Sequence, residues 1–488
     1  MNYPIQSDLM IRNARLIDGS GAPAQIGGVA IRDDTILAVG DLNGVLAARE
    51  LDAGGKALAP GFIDVHTHDD RALIADPTMA AKASQGVTTV VVGNCGISLA
   101  PLAPAGRPPP PLDLISPGPA GFFADFGQYL DHLDQEPAAL NAVAQVGHST
   151  LRAGAMDRLD RPATAREIGT MGDRLAAALE AGAIGMSTGL AYPPAAAAPT
   201  AEVIALGQVL HQAGAIHTSH MRDEGDHVAE SLAETFRIGA EARVPVVISH
   251  HKCQGAANFG RSGETLSLID RARAGQRVAF DVYPYVASST MLSADFAARS
   301  SRVLVTWSEA RPAAAGRDLD QIAAELGLDR DGAIAALAPA GAIYFMMDEA
   351  DVRRILAHPA AMIGSDGLPH DRHPHPRLWG TFPRVLGHYV RDVGLMPLEQ
   401  AVHKMTGLSA AQFGLTDRGL IRPGRKADLV LFDPETVIDR ATFEAPTRPA
   451  AGIELVLVNG RPVWRDGQVT GDRPGRALRL GELGLMGG

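Results

Sequence analysis

Along the middle of this chain, short apolar runs separated by helical stretches end repeatedly in a histidine, a cysteine or an aspartate. The first, Pro60-Gly61-Phe62-Ile63-Asp64-Val65-His66-Thr67-His68-Asp69-Asp70, carries two histidines spaced i, i+2. On a strand such residues point to one face, whereas on a helix they do not face each other. Two imidazoles on one face at the end of a buried strand make half of a metal site. A lone histidine there would more simply be a polar strand end, but potential partners recur downstream in similar positions.

Candidate strands end near His66, Asn94, His148, Gly189, His220, His250, Tyr285 and Asp366. Apolar runs alternating with helices are the signature of βα units around a parallel sheet. Eight such units predict an α/β fold, a TIM-type (β/α)8 barrel over 60–415, with its site at the C-terminal strand ends. Helix starts are marked by a capping box, Thr164 with Glu167, ahead of Ile168, Met171, Leu175 and Leu179. Thr200 and Asp348 mark two more. Residues 9–58 instead alternate β-prone runs with turns such as Asp18-Gly19-Ser20-Gly21, and similar runs return at 427–432 and 455–467. We expect 1–59 and 416–488 to pair into one small β domain, with a loose tail after Gly471. The stretch 101–120, with Arg107-Pro108-Pro109-Pro110-Pro111, reads as a surface loop. Residues 286–345 are too long for an ordinary connection. They read as an insertion with some helix of its own, either a lid over the site or a passive surface excursion.

The chain has 488 residues, 46% hydrophobic and 20% charged, enough for a large core. A net charge of −11 and the lack of any Lys/Arg run argue against a nucleic-acid partner. No run approaches the apolar length of a membrane span. The start, Met1-Asn2-Tyr3-Pro4-Ile5-Gln6-Ser7-Asp8, has neither the basic nor the apolar region of a signal peptide. One disulfide between the two cysteines, Cys95 and Cys253, would be a weak framework for so long a chain. Free thiols, or one metal-bound thiolate, fit a reducing compartment, so a cytoplasmic location is expected. The partner expected is a small molecule, with oligomeric state left open.

His220 ends Ala215-Ile216-His217-Thr218-Ser219-His220, and His250 ends Val244-Pro245-Val246-Val247-Ile248-Ser249-His250. Both runs look like buried parallel strands. Cys95 lies just beyond Thr88-Thr89-Val90-Val91-Val92-Gly93-Asn94. A thiolate and two imidazoles make a tight three-ligand zinc set that leaves the fourth position to water, whose pKa zinc lowers to about 7. The pleat turns His217 and His251 the other way, and both read as structural. Asp366 closes Ala361-Met362-Ile363-Gly364-Ser365-Asp366. It is the candidate base that takes the water's proton and delivers it to a leaving nitrogen.

At this point the chain resembles the amidohydrolase superfamily, through Gly61-Phe62-Ile63-Asp64-Val65-His66-Thr67-His68, His220, His250 and Asp366. Within it, four further stretches resemble the D-aminoacylase (N-acyl-D-amino-acid deacylase) family. They are Gly93-Asn94-Cys95-Gly96-Ile97-Ser98, Thr218-Ser219-His220-Met221-Arg222-Asp223-Glu224, Ser249-His250-His251-Lys252 and Gly364-Ser365-Asp366-Gly367-Leu368-Pro369. The resemblance runs nearly end to end. It implies a distorted barrel, a small β domain from both termini, and hydrolysis of N-acyl-D-amino acids. It also implies a tight zinc on Cys95, His220 and His250, and a second, weaker metal position at His66 and His68 with Asp366. Many members of the superfamily bridge two metals with a carboxylated lysine or a glutamate; here Cys95 stands in that region.

By the same resemblance Lys252, Tyr283 and Arg377 hold the substrate carboxylate, while Tyr192 and Ser289 line the pocket. Lys252 lies two residues after His250, on the same face by strand parity. Relatives specific for D-glutamate carry an arginine shortly after the seventh strand. The corresponding Ser288-Ser289-Thr290-Met291-Leu292-Ser293-Ala294-Asp295-Phe296 offers no cation, so neutral, largely apolar D-amino acids are favoured. The alternatives are an N-acyl-D-glutamate or N-acyl-D-aspartate deacylase and a cyclic-amide hydrolase of the dihydropyrimidinase type. The usual bridging lysine of the latter is missing from the expected strand ends. A catalytically silent scaffold would instead close its zinc with four protein ligands.

Overall fold

The computed structural model describes residues 5–484, so the N-terminal reading lies partly outside the described residues. Eight parallel strands form the barrel. They are Phe62–Asp64, Val87–Val92, Asn141–Ala144 continued by Val146–Gly147, Gly185–Gly189, Ile216–His220, Val246–Ile248, Val278–Val282 and Ala361–Ile363. Each pairs in parallel with the next. The ring closes where Thr67 bridges Gly367 and the Asp366 amide donates to the His66 carbonyl at 2.7 Å.

These strands are buried on both faces, as parallel strands are when helices cover the sheet. The helix Ala165–Ala181 starts at the expected capping box, and Asp348 caps Glu349–Ala357. Thr200 is not a cap. It is the first residue of Thr200–Ala213, and its hydroxyl bonds Glu234 across to the next helix.

The barrel is distorted at its third strand. Ala142 and Val143 pair with the tail strand Ala477–Leu478, and only Val146 and Gly147 reach the fourth strand. As far as residue 484 the tail is therefore docked, not loose. Apolar Ala477, Leu478 and Leu480 gain burial there that a tail in water would forgo.

The chain's two ends share a nine-stranded sheet. Its central join is Ala57–Pro60 against Leu429–Phe432, with Leu58 opposite Leu431. Residues after the seventh strand build more than helix. Ala287–Met291, Arg302–Ser308 and Ala340–Phe345 form a three-stranded antiparallel sheet. The stretch 101–120 also departs from a simple surface loop, because Leu112 and Ile115 are fully buried in the main core. Among the described residues no helix is long and apolar enough to cross a membrane.

Under the eighth strand, Lys404 of the helix Leu398–Met405 donates its ammonium to the carbonyls of His358 and Ala361. Burial lowers its pKa from 10.5 to about 8. Below pH 8 the folded state buries a charge. As pH rises from 8 toward 10.5 that charge is lost in the folded state and kept in the unfolded one, so stability rises. We expect this contribution, up to about 1.4 kcal/mol per pH unit, to vanish in Lys404→Met. Urea unfolding of both proteins from pH 7 to 10 measures the difference.

Candidate active site and metal centre

His220 ends its strand, and the other donor side chains sit just past theirs, where the backbone turns inward. The first strand ends at Asp64, yet the rings of His66 and His68 still meet, with centroids 5.7 Å apart. Asp281 of the seventh strand holds His66 Nδ1 at 3.3 Å and accepts the His250 amide at 2.9 Å. Cys95, His250 and Asp366 all take positive φ, at 54°, 37° and 51°, a region L-residues rarely enter. Once the chain has left the strand, parity no longer sets direction.

These turns bring the donors together. The Cys95 sulfur lies 3.2 Å from His66 Nε2 and 3.3 Å from His250 Nε2. His68 Nε2 lies 3.1 Å from Asp366 Oδ1. One ligand atom from each of His66, Cys95, His250 and Asp366 falls within 4.8 Å of the others, and His220, Glu224 and His250 form a second such group. The ring centroids of His220 and His250 are 4.5 Å apart. All of these residues are buried.

Burial alone would push the Cys95 thiol up. The charges of His66 and His250 and hydrogen bonds from His220 and His250 bring it well below its usual range, to the thiolate. Burial likewise works against charge on His68, but the Asp366 and Cys95 partners raise it to about 9. For Asp366, burial is outweighed by Arg377, His250, His66 and the bond from His68, which hold it well below the usual carboxylate range. A buried thiolate ringed by imidazole nitrogens is the donor chemistry zinc prefers. The buried His220 Nδ1 and His68 Nδ1 have no hydrogen-bond partner. The residues present fit the metal.

Above this floor is a cleft lined by Tyr192, Lys252, Tyr283 and Ser289, with Ile97, Leu114, Phe296 and Leu368 on its apolar sides. Lys252 is not a free cation, since its Nζ lies 2.7 Å from both Glu224 Oε1 and His250 Nδ1. Tyr192 bonds Thr290 at 3.1 Å, and the Ser289 hydroxyl bonds the Ala342 carbonyl at 3.2 Å. Arg377 is fully buried behind the cleft wall. It lies 2.8 Å from Asp366 Oδ2, bonds the Ser289 carbonyl and covers the Tyr283 ring at 4.6 Å. The Tyr283 hydroxyl and Arg377 Nε have no partner.

His217 and His251 turn away and bond Thr188 and Thr265. Glu224 and Asp281 were missed in the sequence. Glu224 is the second of two acids after His220, and no spacing separates it from Asp223.

The amidohydrolase family model matches residues 49–324 and 329–464. The chain is 57% identical to the D-aminoacylase of Alcaligenes xylosoxydans xylosoxydans, over 96% of this chain and 97% of that protein. It is 55% identical to the N-acyl-D-aspartate deacylase of the same organism, over 98% and 96%. With that organism's N-acyl-D-glutamate deacylase it shares 50%, over 97% and 96%. The chain belongs to the amidohydrolase family. Among solved structures, one of a D-aminoacylase with a binuclear metal centre superposes on this amidohydrolase with a TM-score of 0.95 and 57% identity, over 97% of this chain and all of that one. An N-acyl-D-glutamate deacylase from Bordetella bronchiseptica, bound to zinc and a phosphonate mimic of the tetrahedral intermediate, gives 0.94 and 48%, with the same coverage. The dihydropyrimidinase of Brevibacillus agri, at 17% identity over 98% and 99% and a TM-score of 0.62, shares the fold.

Beneath the metal floor of this amidohydrolase, the ammonium of Lys82 contacts Asp64 Oδ2 at 2.7 Å, Ser365 Oγ at 2.5 Å and Asp69 Oδ2 at 3.4 Å. All four residues are buried. Lys82 thus ties the first strand to the residue before Asp366. Burial would lower the Lys82 pKa, but Asp64 and Asp69 raise it; burial pushes Asp69 up to about 6 against the pull of Lys82. Removing one partner strands the other charges in a dry interior. We expect Lys82→Met to cost about 3–5 kcal/mol, read as a shift in the urea midpoint at pH 7.

Proposed function

We propose that this protein is a zinc-dependent hydrolase of N-acyl-D-amino acids, releasing a D-amino acid and a carboxylate. The observation that carries the reading is the convergence of Cys95, His66, His250 and Asp366, with His220 and Glu224 joining through the shared His250. In this proposal Cys95, His220 and His250 hold the tight zinc, and His66 and His68 with Asp366 offer a weaker second position. Bound there, zinc supplies Lewis-acid polarisation of the acyl carbonyl and makes a water acidic. Asp366 accepts the proton of the attacking water as the new C–O bond forms. It passes that proton to the amine nitrogen as the C–N bond breaks.

Recognition of the substrate carboxylate is assigned to Tyr283, Lys252 and Arg377. Lys252 Nζ and Arg377 Cζ lie 5.6 and 4.6 Å from the Tyr283 ring centre. The unpartnered Tyr283 hydroxyl is the kind of buried donor that a ligand acceptor satisfies. The hand of the substrate is taken from the relatives. We expect Asp366→Ala to retain zinc and lose about 10²–10⁴ in kcat. Turnover kinetics beside metal analysis of the same sample tests this, and near-normal turnover would remove Asp366 from the role.

Side-chain preference is read from the cleft wall. Among the described residues lining it, Lys252 is the one lysine or arginine, and the substrate's own α-carboxylate is assigned to it. A carboxylate side chain would enter without a partner, which is costly. We expect N-acetyl-D-methionine to exceed N-acetyl-D-glutamate by at least about tenfold in kcat/KM. Amine release from a panel of D and L substrates measures this. Equal rates for the two would refute the preference, and turnover of hydantoin or dihydrouracil instead would favour the cyclic-amide reading.

A further inference from the structure

The Cys95 sulfur sits on a turn with unusual support. Gly93 and Gly96 flank it at φ 77° and 78°, and Cys95 itself is at 54°. A left-handed non-glycine residue persists where its surroundings over-determine it. Here the surroundings are two neighbouring strands. A Cβ on Gly93 would lie 2.1 Å from the Gln145 carbonyl oxygen. One on Gly147 would lie 2.4 Å from the Gly96 carbonyl oxygen, and one on Gly189 would lie 2.2 Å from that of Cys95. The turn is pressed backbone to backbone onto the third and fourth strands.

One side chain closes it. Ser187, on the fourth strand and fully buried, donates its hydroxyl to the Gly93 carbonyl at 2.5 Å and accepts the Gly96 amide at 2.9 Å. The two bonds brace the residues on either side of Asn94 and Cys95. Asn94 is pinned separately, to the carbonyls of Val91 and Thr67 and by Gln145. Serine suits the task because one small hydroxyl donates and accepts at once.

We propose that Ser187 is a positioning residue for the metal, acting through Cys95. Its bridge between Gly93 and Gly96 fixes where the sulfur points before any ion arrives. The inference rests on the zinc reading above. A ligand aimed in advance by such a bridge binds more tightly than one that must be ordered on binding.

The test is zinc affinity by chelator competition on the purified full chain, with Ser187→Ala, Ser187→Thr, Cys95→Ala and Thr188→Val compared with the unaltered protein. Ser187→Ala is expected to lose about 10–100-fold in affinity, and in the cobalt-substituted protein its thiolate-to-cobalt absorption is expected to weaken. Ser187→Thr keeps the hydroxyl and is expected to stay near the unaltered protein, so it retains the test if the alanine variant folds poorly. Thr188→Val removes a buried hydroxyl from the same strand that bonds His217 and Ser219. It is expected to lower melting temperature without changing zinc affinity, which separates positioning from general stability. If Cys95→Ala weakens zinc while Ser187→Ala does not, the positioning role is overturned and the metal site stands. If Cys95→Ala leaves zinc binding unchanged, the metal reading fails and the inference with it.

Discussion

The seam between the first and last barrel strands is the constraint on which the site depends. His68 and Asp366 are 298 positions apart in the chain. They meet because the Asp366 amide is bonded to the His66 carbonyl and Thr67 bridges Gly367. Under that seam Lys82 draws together Asp64, Asp69 and Ser365. A buried charge of one sign between two of the other tolerates little displacement, because every partner lost leaves a charge without solvent. The register of the seam is thus set by electrostatics as well as by the backbone ladder.

The metal floor follows from how the strands end. Parallel strands in a barrel point their C-terminal ends to one face; His220 is still paired at the end of its strand, but Cys95, His250 and Asp366 lie beyond regular pairing, on turns with positive φ. Such turns aim side chains inward and need help from neighbours to persist. The help comes from glycine contacts and from Ser187 under Cys95, from Asp281 on the His250 amide, and from His66 for Asp366.

Substrate selection is a more local matter than the fold. A D-aminoacylase, an N-acyl-D-aspartate deacylase and an N-acyl-D-glutamate deacylase are all similar to this chain at comparable identity. Overall similarity therefore does not rank side chains, and the preference proposed above rests on the residues of one cleft wall. That wall comes from two excursions from the barrel. Leu114 belongs to a loop whose neighbours Leu112 and Ile115 are anchored in the core. Phe296 belongs to the segment with its own three-stranded sheet and packs on Tyr344 at 5.5 Å.

The alternation of buried apolar runs and helices was legible in the sequence, because a two-residue and a 3.6-residue hydrophobic period are local properties. So were the capping box at Thr164 and the donor types His66, His68, Cys95, His220, His250 and Asp366. Proline content made 101–120 look like surface, since composition reports solvent preference and not the few apolar residues that anchor a loop. The burial of Arg377 was not legible, because it depends on Tyr283 and Ser289, which are far from it in the chain. Local pattern thus supplies the candidate donors and places them at or near strand ends. Which of them touch, that Glu224 and Asp281 join them, and that the tail strand docks on the third barrel strand depend on the folded chain. Those are contacts between residues far apart in the chain, and local pattern carries no distance across a barrel.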